Sequence, residues 1–264
     1  MLYNMQRSNK CENEKTPARP YIPSGRVSIM IVSGDMPIEM INRLNSLVRK
    51  IIRIPMLESL PYPVCSHPDM QMVIPTEGVV IHAPNMDAAI VKSIESLGFQ
   101  MVSGEKYPCG AYPMDISYNV AVVGKHAFLN KKFSDARVIE WLKKTGISMS
   151  HVNQGYAKCS TLIVNQDALI TSDAGIFNAA RVQNMDALLV PPQRKILIAG
   201  YDHGFIGGAT GLISNDEIAV SGGFGNLDDA EAIGRFLGKY CITPMSLSDG
   251  DVLDFGSLIP LCSV

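Results

Sequence analysis

Side chains able to do chemistry recur at short spacing in this sequence. Cys65, His67 and Asp69 fall within five residues, Cys109, Tyr112 and Asp115 within seven, and His151, Tyr156, Lys158 and Cys159 within nine. Asp202 and His203 are neighbours, and Asp251 and Asp254 lie near the end. Thiolates are strong nucleophiles near neutral pH, imidazoles move protons there, and carboxylates hold cations through charge-assisted hydrogen bonds. Cys159 is the leading nucleophile candidate, because the ammonium of Lys158 beside it favours a thiolate. The other account of Cys159 is a buried, inert thiol. His203 or His151 would serve as its base. His67, His151 and His203 with Cys65, Cys109 and Cys159 are also zinc-ligand types. No pair of them has a metal-motif spacing, so neither a metal nor another cofactor is expected.

Each of these clusters stands before a pair of short apolar strands. Two strands around a polar turn, a capped amphipathic helix and a return strand form a unit that occurs four times. The strand pairs are expected at 70–74 and 79–82, 119–123 and 127–129, 161–164 and 168–171, and 212–213 and 218–220. Their return strands follow at 99–102, 147–150, 187–190 and 242–245, with a further strand at 195–199. The segment from Gly155 to Val164 aligns with that from Gly204 to Ile213. A fifth unit is split between the ends: strand 27–32, helix 37–48 and strand 51–54 lack a hairpin partner, which 253–261 supplies. The helix caps are expected at Asp35, Asn85, Ser134, Asp173 and Asn226. A unit of this size cannot bury both faces of its sheet, so an α/β propeller of five ββαβ units closed by the two chain ends is expected. An open α/β sheet is the alternative, but it would carry one strand per helix.

Composition narrows the function classes. With 264 residues, 47% apolar residues and a net charge of −2, the chain can bury one large core and has no nucleic-acid footprint. No apolar run has the length of a membrane span or a signal peptide, so a cytoplasmic protein without membrane partners is expected. Six scattered cysteines with no CxxC pair fit reduced thiols better than a disulfide framework. Residues 1–25 are expected to be a polar extension, laid over the surface or disordered, and 26–264 a single domain. The run Gly204 to Gly211 could suggest a phosphate loop, but it leads from a loop into a strand. Close approach of chain segments explains those glycines better.

The five ββαβ units over residues 26–262 resemble the pentein fold of the guanidino-group-modifying superfamily, and within it a branch known mainly as a domain of unknown function. That superfamily includes arginine and agmatine deiminases, dimethylarginine hydrolases, amidinotransferases and a non-enzymatic ribosome anti-association factor. The resemblance implies a cysteine in the last strand attacking a guanidinium carbon, a histidine of the third unit as acid and base, and acids holding the cation. Here Pro260 stands at the cysteine position, with Cys262 two residues later on the same face, and Tyr156 stands at the histidine position. Asp69 matches an acid of the first unit.

The resemblance also implies that the loops entering the hairpins face a central channel. A site there would bind a small polar, cationic molecule of guanidino or amine type through His67, Asp69, Asp115, Tyr156, Lys158, Asp202, His203 and Asp254. Two alternatives stand beside it: a hydrolase of C–N bonds using a relocated Cys159 or Cys262, and a macromolecule-docking ring like the ribosome factor. The sequence does not set the oligomeric state.

Overall fold

The structure is a computed structural model and describes residues 19–264. The elements follow in chain order. The first group is β1 (Val27–Ser33), α1 (Ile38–Asn45) and β2 (Lys50–Ile54). Next come α2 (Pro68–Gln71), β3 (Met72–Thr76), β4 (Val79–His82), α3 (Ala88–Glu95) and β5 (Gln100–Ser103). They are followed by β6 (Ala121–Val123), β7 (His126–Leu129), α4 (Ala136–Lys144) and β8 (Ser148–His151). β9 (Thr161–Asn165), β10 (Ala168–Thr171), α5 (Ala174–Val182), β11 (Asp186–Leu189) and the short β12 (Ile196–Leu197) lead on to β13 (Thr210–Leu212). The chain ends with β14 (Glu217–Val220), α6 (Ala230–Gly238), β15 (Thr243–Ser246), β16 (Val252–Leu253) and β17 (Ile259–Ser263).

Among the described residues five three-stranded sheets result, with one extra pair, β12 and β16. In each three-stranded sheet the middle strand runs antiparallel to one neighbour and parallel to the other. A parallel partner needs a crossover, and a helix supplies it in every case. The first sheet joins the ends of the described chain, with Ile31 of β1 opposite Ile259 of β17 and Val27 opposite Ser263. Each helix lays one stripe on the sheets. In α4 that stripe is Val138 and Leu142, both fully buried, and cutting such a leucine to alanine costs roughly 2–5 kcal/mol. No described helix is long and apolar enough to cross a membrane.

Several local expectations change. Asp173 caps α5 as expected, but Asp87 and Asp135 cap α3 and α4 in place of Asn85 and Ser134. These acids lie immediately before their helices and reach the first free amides, while Asn85 holds Ser59. Asp35 accepts from Ser66 instead of capping α1, and Asn226 bonds the carbonyls of Asp249 and Gly250. The strand expected over 253–261 is broken by left-handed backbone at Gly256 and Ser257, so Asp254 to Leu258 forms a loop between β16 and β17. Residues 1–18 of the expected extension lie outside the described residues. Past them Tyr21 is 3% exposed, and its hydroxyl accepts from the amide of Ile74 at 3.1 Å. A ring of this size gains more from burial than the surface offers it, so the segment inserts into the fold instead of lying over it.

Candidate functional site

Met70, Asn119, Cys159, Gly208 and Ser257 each stand two residues before the first strand of an antiparallel pair: β3, β6, β9, β13 and β17. Their loops meet. Asn119 Nδ2 reaches Met70 Sδ at 3.3 Å and Cys159 Sγ at 3.1 Å, while its Oδ1 accepts from the backbone amide of Lys158 at 2.7 Å. The amide of Gly208 donates to Cys159, and that of Ser257 donates to Gly208 at 2.8 Å. The five positions are thus tied to one another by hydrogen bonds rather than by sequence proximity.

Around them lies a buried polar cluster. Asp69, on the single turn of α2 that Pro68 starts, accepts from Cys159 Sγ at 3.0 Å and lies 2.7 Å from Ser257 Oγ. Lys158 Nζ donates to that hydroxyl at 2.8 Å and stands 5.4 Å from the centre of the Tyr21 ring. Tyr21 therefore packs against the Lys158 end of the cluster. Asp254 accepts from the amides of Phe205 at 2.8 Å and Gly256 at 3.0 Å, and His67 Nδ1 stands 3.9 Å from its Oδ1. Two glycines permit this packing: a Cβ at Gly208 would lie 2.0 Å from Asp254 Oδ1, and one at Gly256 would lie 2.2 Å from the His67 side chain. The glycine run serves close approach, as expected, and its amides cradle no phosphate-type loop before a helix.

Above the cluster opens a cleft of about 250 Å³. Its floor is His67, Met70, Cys159 and Asp254, and its walls include Tyr156, Phe205, Tyr201 and Ile198. Tyr156 and Phe205 are 6.0 Å apart between ring centres, with Tyr112 and His203 extending the row at 5.6 and 5.9 Å. The Tyr156 hydroxyl donates to the buried Asp115 at 2.7 Å, which fixes the ring as a wall. A second cleft of about 220 Å³ shares His67, Ile198 and Asp254 and adds Asp35 and Ser66.

Burial dominates protonation in the cluster. It pushes the Asp254 carboxyl up to about 6 against the bonds from Gly256 and Phe205, so at neutral pH that group is still ionised. It lowers His67 to about 4, leaving a neutral ring. It raises Asp69 and lowers Lys158. It also lifts the Cys159 thiol well above its ordinary value, and the charges of Asp69 and Asp254 add to the effect. The expectation that Lys158 turns Cys159 into a thiolate is therefore corrected: the ammonium is spent on Ser257, and the carboxylate beside the sulfur favours the proton staying on it.

Of the residues singled out in the sequence, the fold brings His67, Asp69, Lys158, Cys159 and Asp254 into one cluster, with Tyr156 in the cleft wall and Asp115 behind it. His203 lines the cleft half-buried, its Nδ1 3.0 Å from the Gly204 carbonyl, and Asp202 is exposed on the rim. His151 is not brought there. It ends β8 exposed, and its Nδ1 accepts from the amide of Lys131, because the return strand expected at 147–150 runs on through His151 in its pairing with β7. Cys262 is buried in the apolar core opposite Ile29, on the far side of the break at Gly256 and Ser257. Asn119, Ser257 and Phe205 were missed. Asn119 and Ser257 lie inside the strands expected at 119–123 and 253–261, and they stand two residues before a strand only because β6 and β17 start later, at Ala121 and Ile259.

Comparison with known proteins places the fold. No curated protein matches the sequence. Among solved structures, inosamine-phosphate amidinotransferase from Streptomyces griseus has a TM-score of 0.57 at 12% identity, covering 94% of this chain and 97% of that one. An amidinotransferase of the saxitoxin biosynthetic pathway from Microseira wollei has a TM-score of 0.54 at 13% identity, covering 88% and 92%. A mutant of DDAH from Pseudomonas aeruginosa, complexed with citrulline, has a TM-score of 0.52 at 11% identity, covering 85% and 93%. At these identities the likeness concerns the fold alone, and that fold is pentein-like. The sequence model of one family matches residues 31–259, most of the chain, and on that match the protein belongs to the family of unknown function DUF6873.

Proposed function

We propose that the cleft binds a small polar molecule carrying one positive charge on a guanidino, amidino or amine group, with Asp254 as its partner. The observation that carries this is Asp254 itself, a carboxylate 5% exposed at the floor of an open cleft and aimed by two backbone amides. Its one ion-pair geometry among the described residues is with the neutral ring of His67. Tyr156 and Phe205 offer ring faces to a planar cation, a contact that contributes about 0.5–2 kcal/mol. The fold likeness to two amidinotransferases supports a ligand of this kind.

Thiolate amidino chemistry is outside this reading. Pro260 occupies the last-strand position at which the resemblance implies a cysteine, and burial and the Asp69 carboxylate beside Cys159 disfavour its thiolate. The same reading takes the five sheets as a closed ring with Met70, Asn119, Cys159, Gly208 and Ser257 around its axis. It also assigns the protein to the cytoplasm, where the exposed Cys109 and Cys241 remain reduced.

Thermal unfolding with a panel of probes tests the proposal. Methylguanidinium, acetamidinium and methylammonium should raise the melting temperature by several degrees near 100 times Kd, where binding contributes about 2.7 kcal/mol. Methylurea, a neutral analogue of the first, should not. Equal shifts with methylurea, or no shift with any cation, would sink the proposal.

A further inference from the structure

We infer that His67, Asp69 and Cys159 form a binding site for a divalent transition-metal ion of the zinc kind, with one coordination position open to the cleft. A ring nitrogen, a carboxylate oxygen and the sulfur of these residues lie within 4.8 Å of one another, and the residues are 2%, 1% and 3% exposed. Two of their atoms, His67 Nδ1 and Asp69 Oδ1, are buried without a hydrogen-bond partner. Leaving such an atom unpaired costs about 1–3 kcal/mol. A metal ion takes up lone pairs that no protein donor reaches.

The donor set decides the kind of ion. Magnesium and calcium take oxygen ligands, whereas one nitrogen, one oxygen and one sulfur suit zinc and its first-row neighbours. Bonds of about 2.0–2.3 Å in a tetrahedron hold the donors roughly 3.5 Å apart, so side-chain rotations moving them by about 1 Å seat the ion. Three protein ligands with a fourth position open is the pattern of sites that act on a ligand, and both His67 and Cys159 line the cleft. Outer partners are in place as well: Asn119 Nδ2 is 3.1 Å from Cys159 Sγ, and Ser257 Oγ is 2.7 Å from Asp69.

Binding replaces the proton that Cys159 shares with Asp69, and that proton leaves to solvent. The ion with one thiolate, one carboxylate and a neutral imidazole then has no net charge, so Asp254 keeps its own for the organic cation. The inference therefore goes beyond the cation site and does not rest on it. No metal motif shows in the sequence because the donors come from two loops 90 residues apart.

Cobalt(II) is the probe, added to chelator-treated full-length protein in which Cys11, Cys109 and Cys241 are replaced by serine. One equivalent per chain should bind, with a sulfur-to-cobalt charge-transfer absorption. A further Cys159→Ser change should abolish that absorption, and His67→Ala or Asp69→Asn should weaken binding by at least about tenfold, with folding checked by circular dichroism. Substoichiometric binding by the folded parent, or an absorption that survives Cys159→Ser, overturns the inference. Where a cluster variant fails to fold, the parent decides: cobalt should slow alkylation of Cys159, mapped by mass spectrometry, and an unchanged rate counts against the site. Methylguanidinium binding, measured in the same metal-free samples, separates failure here from failure of the cation site.

Discussion

Cys159 gives its thiol hydrogen to Asp69 across 3.0 Å, although the two residues lie 90 positions apart in the chain. Burial and the neighbouring carboxylate thereby favour the protonated form of this cleft-lining thiol. Iodoacetamide in the presence of a chelator should label the exposed Cys109 and Cys241 first and Cys159 slowly. Asp69→Asn removes the charge that favours the proton and should speed labelling of Cys159 several-fold. Rapid, selective labelling of Cys159 in the wild type would instead mark a catalytic thiolate.

Gly208 is the bare surface on which the Asp254 carboxylate rests, since a Cβ there would come within 2.0 Å of Oδ1. Gly208→Ala should displace the carboxylate and weaken methylguanidinium binding by about 10–100-fold, the equivalent of one charge-assisted hydrogen bond. Gly225→Ala, where nothing lies within 4 Å of the added methyl, is the control and should bind normally. Equal affinities in titration calorimetry would mean that Asp254 does not hold the cation.

Tyr156 has two separable roles. Its hydroxyl satisfies the buried Asp115, whose Oδ1 already lacks a partner, and its ring forms the cleft wall. Tyr156→Phe should cost about 1–3 kcal/mol in urea unfolding while leaving ligand affinity nearly intact. Tyr156→Ala should lose affinity as well. A Phe variant as stable as wild type would show that the Asp115 contact contributes nothing.

The buried ring of Tyr21 lies against Lys158 of the polar cluster. Tyr21→Ala leaves the amide of Ile74 without its acceptor and opens a cavity, so chemical unfolding should report a loss of roughly 3–5 kcal/mol. A loss below about 1 kcal/mol would return this segment to the surface role expected from its polar composition.

How much of this was legible depends on the range of the signal. Apolar spacing located the strand pairs and helices, because alternation and helical period are local properties. His67, Asp69, Lys158, Cys159 and Asp254 stood out as reactive types, and the fold does gather them. Ser257 and Asn119 passed as ordinary polar residues, since their roles come from partners up to 188 positions away. The left-handed turn at Gly256 and Ser257, which separates Asp254 from the strand that carries Cys262 and packs Gly256 against His67, has no apolar pattern to announce it. Charge was misjudged for a related reason. Lys158 is beside Cys159 in sequence, but its ammonium extends to Ser257, and the sulfur answers to Asp69.

Titration calorimetry of methylguanidinium against wild type and Asp254→Asn tests the central claim most directly. The account predicts saturable one-to-one binding to the wild type, at least about tenfold weaker binding to the variant, and none of methylurea to either. Unchanged affinity in a folded Asp254→Asn protein, or methylurea binding as well as the cation, would contradict it.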